Sequence, residues 1–280
     1  MQLKGLDCEN VGGHIVHWLK AYAKQAGSQG FVVGISGGVD SALTSALCAR
    51  TGLRLICVQM PIHQASDQLQ RASEHIDKLK TSHPQVEERT FDLSPVFDQF
   101  SQTLSSEQSA QRELALANAR ARLRMTTLYL VAQTHGLLVA GTGNKVEDFG
   151  VGFYTKYGDG GVDMSPIADL NKSEVFSLAA HLGVPQSILQ AAPTDGLWAD
   201  GRGDEDQLGA SYAELEWAME QVKETSSREG WNPRELVVMD IYTRLHQANQ
   251  HKMQEIPVCL IPEMWKSETP KRIDSPSRRK

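Results

Sequence analysis

Short apolar runs alternate with amphipathic stretches along the first half of the chain. Buried strands are predicted at 31–35 and 53–60, and further strands at 86–93 and 137–140. Apolar residues at helical spacing predict helices at 8–26, 39–50, 66–79, 95–104 and 110–135. This alternation predicts an α/β fold, doubly wound, in which a mostly parallel sheet carries helices on both faces.

The second half of the chain is predicted to be helical and rich in loops. Further helices are expected at 170–182, from Ser211 onward and over 234–250. The glycine- and aromatic-rich stretch 150–166 predicts a functional loop whose rings can stack on a planar ligand, or a structural Ω-loop packed on its own aromatic residues. We predict a single domain over residues 1–265, and a disordered basic tail over 266–280.

Composition narrows the class of protein. The 280 residues carry a net charge of -6, which argues against general binding of nucleic acid. No apolar run approaches the roughly 20 residues that span a bilayer, and the polar N-terminus predicts no secretory signal. The scattered cysteines, which form no metal-binding pair, are typical of reduced thiols and predict a cytoplasmic protein. They are Cys8, Cys48, Cys57 and Cys259.

The stretch Gly34-Ile35-Ser36-Gly37-Gly38-Val39-Asp40-Ser41 joins the first predicted strand to the next helix. Such a turn directs backbone N–H groups and the positive end of a helix dipole at an anion. No lysine follows as in a P-loop, and the third glycine of the dinucleotide fingerprint is missing. Ser36, Ser41 and the loop amides can hold a pyrophosphate, and Asp40 can hold Mg²⁺. A tight turn without a ligand is the alternative.

A second loop, 141–148, follows the predicted strand at 137–140. Because ligands of open α/β sheets lie beyond the carboxyl ends of the strands, both loops are expected to face one crevice. Glu147 and Asp148 are therefore candidates for a second carboxylate beside Asp40, although Glu147 alone is more typical of an ordinary surface acid. The positive charge of Lys172, in the first turn of its predicted helix, opposes the helix dipole. Such a position indicates either a function or a side chain that reaches solvent.

Several motifs together resemble a known family. They are Gly-Ile-Ser-Gly-Gly-Val-Asp-Ser (34–41), Ala-Arg-x-Arg-Met (121–125), Gly-Thr (141–142), Phe-Tyr-Thr-Lys-Tyr-Gly-Asp-Gly-Gly-Val-Asp (153–163), Leu-Asn-Lys (170–172), Ala-Pro-Thr (192–194) and His-Lys (251–252). From the N-terminal helix to about Trp265 the chain resembles the ammonia-dependent NAD⁺ synthetases of the ATP pyrophosphatase group. The resemblance implies a fold like that of the adenine nucleotide alpha hydrolases, with a helical C-terminal part.

The resemblance also implies roles for individual residues. It implies contacts with ATP by Gly34, Ile35, Ser36, Gly37, Gly38, Val39, Asp40, Ser41, Thr142, Lys172 and Thr194. Deamido-NAD⁺ contacts, some across the interface of a homodimer, are implied for Arg122, Lys156, Asp163, His251 and Lys252. Mg²⁺ is implied as the cofactor, bound by Asp40 and Glu147, with catalytic roles for Asp40 and Lys172. Residues 193–206 are implied to form a lid.

The implied reaction is the amidation of deamido-NAD⁺ by ammonia. ATP adenylates the nicotinate carboxylate, and NAD⁺, AMP and pyrophosphate result. Asn144-Lys145 takes the place of a more common Asp-His pair, and one extra residue follows Glu147, which leaves Asp148 as the alternative ligand. At 280 residues we expect no glutaminase domain, and free ammonia is therefore the expected nitrogen source. The alternatives are an ATP pyrophosphatase with another acceptor, of the tRNA-modifying or GMP-forming type, and a non-catalytic nucleotide-binding module.

Overall fold

The structure is a computed structural model that describes residues 5–107, 109–194, 203–224 and 227–266. The predicted loop at 193–206 lies mostly outside the described residues, and so does nearly all of the predicted tail at 266–280. The implied lid and the disordered tail therefore stay predictions.

A parallel sheet forms the centre of the fold. Its strands are β1 (Gly30–Gly34), β2 (Arg54–Gln59), β3 (Val86–Thr90) and β4 (Leu138–Val139). They lie in the order β3-β2-β1-β4, and every described pair is parallel. This confirms the predicted α/β fold with a mostly parallel sheet.

Three strands are shorter than the sequence predicts, and β2 loses one residue at each end of its predicted range. β3 ends at Thr90, because beyond it the chain turns and the Leu93 amide donates to the Pro61 carbonyl outside the sheet. β4 ends at Val139, because the next residue, Ala140, forms an isolated bridge with Met164. The sequence pattern predicted these strands but not the points at which their pairing partners change.

Helices account for most of the remaining chain. They are α1 (Cys8–Gln25), α2 (Val39–Arg50), α3 (Ser66–Ser82), α4 (Ser94–Thr103), α5 (Arg112–His135), α6 (Lys172–His181), α7 (Gln186–Leu189), α8 (Asp204–Leu208), α9 (Tyr212–Glu224) and α10 (Pro233–Met253). A π-helical segment at Val146–Val151 was not predicted, and it takes the first residues of the supposed 150–166 loop. Within the described ranges no helix has both the length and the apolarity to cross a membrane.

Apolar side chains cover both faces of the sheet. Successive residues of a strand point to opposite faces, so Phe31 and Val33 pack with α1, α2 and α6, while Val32 packs with α5. A third cluster, centred on Leu215 and Val238, joins the π-helical segment to α8, α9 and α10. The helices that meet in this third cluster form the helical C-terminal part that the resemblance implies.

The order of the strands places two loops side by side. Connections run outward from β1 to β2 and β3 on one side, and β4 lies on the other side of β1. The loops that follow β1 and β4 therefore open at the switch point of the sheet, where α/β proteins bind ligands.

A buried histidine lies beneath the first of these loops. His75, on α3, is almost completely buried, and its Nε2 lies 2.8 Å from Ser45 Oγ. The Ser45 hydroxyl also lies within hydrogen-bond distance of the Ser41 carbonyl, at 2.8 Å. Among the described residues, His75 Nδ1 has no hydrogen-bond partner. Burial lowers the pKa of His75 from 6.5 to about 4.

This histidine is expected to make the fold sensitive to acid. The folded protein keeps His75 neutral while the unfolded chain binds a proton, so its contribution to stability is lost as the pH falls from about 6.5 to about 4. The loss reaches about 3 kcal/mol. This loss is measured by urea unfolding of the wild type and of His75→Gln at several pH values across the same range. An equal loss of unfolding free energy in both proteins would exclude His75 as the cause.

Candidate active site

The glycine loop after β1 folds back on itself. Gly37 has a φ of +86°, and a Cβ there would lie 2.3 Å from the Gln68 carbonyl oxygen of α3. Only glycine can adopt this φ and also leave room for the Gln68 carbonyl without strain. Ser36 Oγ lies 3.1 Å from Ser41 Oγ and accepts from the Gly38 amide at 3.2 Å. The loop is thus held in shape by its own serines.

Helix α2 begins directly after this loop. Gly38 is its N-cap and supplies no side chain to satisfy the first amides of the helix. These amides and the helix dipole make the loop suitable for an anion such as a phosphate. Arg71, on α3, donates from Nε to the Gly37 carbonyl at 3.3 Å, so its guanidinium lies beside the loop. Arg71 carries no sequence signal of its own, because it lies on an ordinary amphipathic helix.

A buried lysine lies between two carboxylates at the first turn of α2. Lys172 Nζ is 2.6 Å from Asp40 Oδ2 and 3.0 Å from Glu147 Oε1. Its side chain is 5% exposed, and those of the two acids are 18% and 17% exposed. Burial by itself lowers the pKa of Lys172, but the two carboxylates outweigh it and the pKa is raised. The lysine therefore remains charged, and it does not extend to solvent.

Two further side chains hold these carboxylates. Asn144 donates from Nδ2 to Asp40 Oδ1 at 3.0 Å. The Tyr212 hydroxyl donates to Glu147 Oε1 at 2.6 Å and lies 3.2 Å from Asp204 Oδ2. Neither residue was predicted, because each pair is distant in sequence and only the packed fold brings it together.

Asp148, the acidic residue that follows Glu147, faces a different part of the protein. The Asp148 carboxyl covers Gly143, where a Cβ would lie 2.1 Å from Asp148 Oδ2. It lines a cavity of about 130 Å³ together with Asp159 and Lys252. Burial, with Glu147 next in effect, raises the pKa of Asp148 to about 8, and burial raises that of Asp159 to about 6. Of the two candidate ligands, Glu147 is thus the one that meets Asp40 at Lys172.

The donor set at Lys172 fits Mg²⁺. Oxygens of Asp40 and Glu147 converge on one positively charged atom, and these residues come from two separate loops. Mg²⁺ in nucleotide sites usually takes one or two protein carboxylates and completes its shell with phosphates and water. Among the described residues, no group of three or more His, Cys, Asp or Glu side chains is arranged to hold a metal ion.

Three residues implied to contact deamido-NAD⁺ lie together on the surface. Arg122 Nε donates to the Lys156 carbonyl at 3.3 Å, and Lys156 Nζ donates to the His251 carbonyl at 2.8 Å. Tyr157, next to Lys156, has a φ of +61° and a half-exposed ring. A non-glycine residue in this strained conformation is often found at functional sites. This positive, aromatic surface is compatible with a nucleotide.

The other implied contacts lie in different surroundings. Lys252 Nζ donates to the carbonyls of Gly152 and Tyr154 at 2.7 and 2.8 Å. The Asp163 carboxylate accepts from the Tyr129 hydroxyl and from the Val139 backbone amide. Both side chains therefore form hydrogen bonds within the protein. Their contact with a ligand stays a prediction.

Two implied ATP contacts lie at loop positions. Thr142 is half-buried in the loop after β4, and Thr194 is the last described residue before the gap at 195–202. Across that gap the Asp204 amide donates to the Pro193 carbonyl at 3.1 Å, which brings the two ends of the segment together. These two roles also stay predictions.

The fold and this site define a nucleotide-binding α/β protein whose glycine loop and acidic pair are suited to a polyphosphate and a cation. Residues 12–256 match the family model described as NAD synthase. The chain belongs to the NAD synthase family, and the match confirms the resemblance drawn from its motifs.

Individual relatives agree with this membership. The NH(3)-dependent NAD(+) synthetase of Methanosarcina mazei is 36% identical over 265 residues, which is 93% of this chain and 100% of the relative. That of Mesoplasma florum is 41% identical over 204 residues, which is 72% of this chain and 81% of the relative. The NMN synthetase structure from Francisella tularensis superposes with a TM-score of 0.79 at 31% identity, and covers 92% of this chain and 99% of that one.

Proposed function

We propose that the protein is an amide-forming ligase that joins ammonia to the nicotinate carboxylate of deamido-NAD⁺. ATP is consumed, and NAD⁺, AMP and pyrophosphate are formed. The observation that carries this proposal is the charged trio of Asp40, Lys172 and Glu147 beside the glycine loop of a NAD synthase fold. The alternative acceptors, tRNA and GMP precursors, find no support among the relatives.

The difficulty of the reaction is that a carboxylate has a poor leaving group. The nicotinate carboxylate would attack the α-phosphorus of ATP, and pyrophosphate would leave. The loop amides, the N-terminus of α2 and the buried Lys172 ammonium would stabilise the charge that grows on the pyrophosphate. Ammonia then attacks the mixed anhydride, AMP leaves with one carboxylate oxygen, and nitrogen gives up a proton. Positioning and electrostatics account for most of the rate.

We propose Mg²⁺ as the metal, held by Asp40 and Glu147. When bound, it supplies positive charge that polarises and neutralises the phosphates of ATP. The contributions of the chain are to keep the two carboxylates close together and to keep Lys172 beside them.

The proposal is tested by the requirements for pyrophosphate release. Purified protein is given Mg-ATP and ammonium, with and without deamido-NAD⁺, and all products are quantified. The proposal predicts pyrophosphate, AMP and NAD⁺ in equal amounts, and only when deamido-NAD⁺ is present. Pyrophosphate release that ignores deamido-NAD⁺ would indicate another acceptor, and no release would indicate a nucleotide-binding module.

A second candidate substrate is nicotinate mononucleotide, with nicotinamide mononucleotide as the product. It is favoured by the likeness to the Francisella tularensis structure, which is titled as an NMN synthetase. Both substrates present the same nicotinate carboxylate, ribose and phosphate, and they differ by the AMP half of deamido-NAD⁺. The two are distinguished by kcat/KM measured in the same assay. A value for the mononucleotide at least tenfold higher would replace deamido-NAD⁺ as the substrate.

We also propose that the protein is a homodimer. Exposed apolar side chains lie on α4 and α5, and further ones lie on the segment after α10, which runs from 254 to 265. They are Val96, Phe100, Leu104, Leu114, Leu130, Ile256, Val258, Leu260, Ile261, Met264 and Trp265. So much exposed apolar surface is typical of an interface. Sedimentation equilibrium is expected to give twice the chain mass of 30.9 kDa, and a single 30.9 kDa species would contradict the dimer.

The domain organisation and the location are proposals of the same kind. We propose one domain over 1–265, since the family match runs across nearly all of it. We propose the cytoplasm as its location, and the four cysteines, which are free thiols, support a reducing compartment.

A further inference from the structure

One buried amide connects the two loops of the candidate active site. Asn144, in the loop after β4, is completely buried. Its Nδ2 donates to Asp40 Oδ1 at 3.0 Å. Its Oδ1 accepts from the backbone amides of Val146 and Glu147, both at 3.1 Å. A single side chain therefore holds the carboxylate of Asp40 and the backbone that carries Glu147.

In this chain the contacts of Asn144 use both an acceptor and a donor, and a carboxamide supplies the two together. An oxygen is needed to accept from the first amides of the π-helical segment, as in an N-cap. A hydrogen-bond donor is needed for Asp40, because a second carboxylate 3.0 Å from Asp40 Oδ1 would repel it. Asparagine supplies both groups, while aspartate and serine supply only the acceptor at this reach.

The contact also selects which oxygen of Asp40 is available. With Oδ1 held by Asn144, Oδ2 faces Lys172 at 2.6 Å, on the side where Glu147 Oε1 lies. Rotation of the Asp40 carboxylate would break the bond to Asn144. Asn144 thus orients the Asp40 carboxylate and holds the backbone from which the Glu147 side chain extends.

We propose that Asn144 is a positioning residue that sets the geometry of the Asp40–Glu147 pair for the cation bound with ATP. This inference rests on the proposed function, because it assumes that the pair binds a divalent cation. Residues that hydrogen-bond to metal ligands typically change metal affinity or activity by about 10- to 100-fold when they are replaced. The competing explanation is that Asn144 only caps the π-helical segment and stabilises the fold.

Three variants separate these explanations. Asn144→Ser keeps a cap acceptor but is too short to donate to Asp40. Asn144→Asp keeps the acceptor and replaces the donor by a negative oxygen. The matched control is Asn249→Ser. Asn249 Nδ2 donates to the Val151 carbonyl at 2.8 Å, at the other end of the same π-helical segment and away from Asp40.

The direct readout is Mn²⁺ binding, followed by the loss of the electron paramagnetic resonance signal of free Mn²⁺. The ternary complex is formed with α,β-methylene-ATP, which cannot be cleaved between its α and β phosphates. The expected result is a Kd for Mn²⁺ raised about 10- to 100-fold in Asn144→Ser, and unchanged in Asn249→Ser even if its melting temperature falls. Asn144→Asp is expected to bind Mn²⁺ no more weakly than the wild type but to lose about tenfold or more in kcat.

The outcomes are distinct. A wild-type Mn²⁺ affinity in Asn144→Ser, with only a lower melting temperature, overturns the positioning role. If Asn144→Ser does not fold, Asn144→Asp decides, and wild-type kcat in that variant overturns the proposal. A wild-type protein that binds no Mn²⁺ with the nucleotide and releases no pyrophosphate would instead contradict the proposed function.

Discussion

Replacing Asp40 with asparagine is expected to lower kcat/KM for deamido-NAD⁺ by about 1,000-fold or more, which corresponds to several kcal/mol of transition-state stabilisation. The substitution keeps the shape of the side chain and an oxygen that can accept from Asn144, so the fold should remain intact. It removes the charge that lies 2.6 Å from Lys172 Nζ, on the side where the cation is expected. Steady-state kinetics and the melting temperature measure the two effects.

A matched control separates this loss from a general effect of removing an acidic group. Asp169 is 97% exposed and forms an ion pair with Lys145. Exposed pairs of this kind contribute little, so Asp169→Asn is expected to keep kcat/KM within about twofold. Near-normal activity of Asp40→Asn would contradict the role of Asp40 at the metal and in catalysis.

Replacing Lys172 with methionine is expected to lower both turnover and stability. The substitution leaves the carboxylates of Asp40 and Glu147 facing each other without the cation between them. Removing one member of a buried charged group costs about 3–5 kcal/mol, because it leaves uncompensated charge. The melting temperature without metal should fall by roughly 5–15 °C. Turnover should fall about 1,000-fold, since we also propose that the lysine stabilises the leaving pyrophosphate.

Mg²⁺ provides the diagnostic test of this explanation. If the loss of stability comes from two uncompensated carboxylates, millimolar Mg²⁺ should raise the melting temperature of Lys172→Met more than that of the wild type. Lys145→Met, which removes a lysine from a more exposed pair, is the control and should show neither effect. A Lys172→Met protein as stable as the wild type, and indifferent to Mg²⁺, would contradict the charge balance described for the site.

Much of the fold and part of the site could be predicted from local sequence. The apolar runs and amphipathic stretches predicted the parallel sheet and most helices, because burial on both faces leaves a strong pattern. The stretch 34–41 predicted an anion-binding loop, since strand, glycines and helix are adjacent in the chain. The motif resemblance pointed to Lys172 and Glu147, and the structure brings both to Asp40.

The rest depended on contacts between distant residues. Nothing near Asn144 indicates that its amide reaches Asp40, and nothing near Tyr212 indicates that its hydroxyl reaches Glu147. The π-helical segment at Val146–Val151 carries no periodic pattern that would distinguish it from a loop. Motif matching also could not show that Lys252 donates to backbone carbonyls, because hydrogen-bond partners are set by tertiary packing.

The central claim is that the protein activates the nicotinate carboxylate by transferring AMP to it. Deamido-NAD⁺ labelled in both carboxylate oxygens with the heavy isotope of oxygen is incubated with the protein, Mg-ATP and ammonium, and the products are examined by mass spectrometry. The account predicts one labelled oxygen in the phosphate of each AMP, one in the NAD⁺ amide, and none in pyrophosphate. Unlabelled AMP formed alongside NAD⁺ would contradict adenylation of the carboxylate.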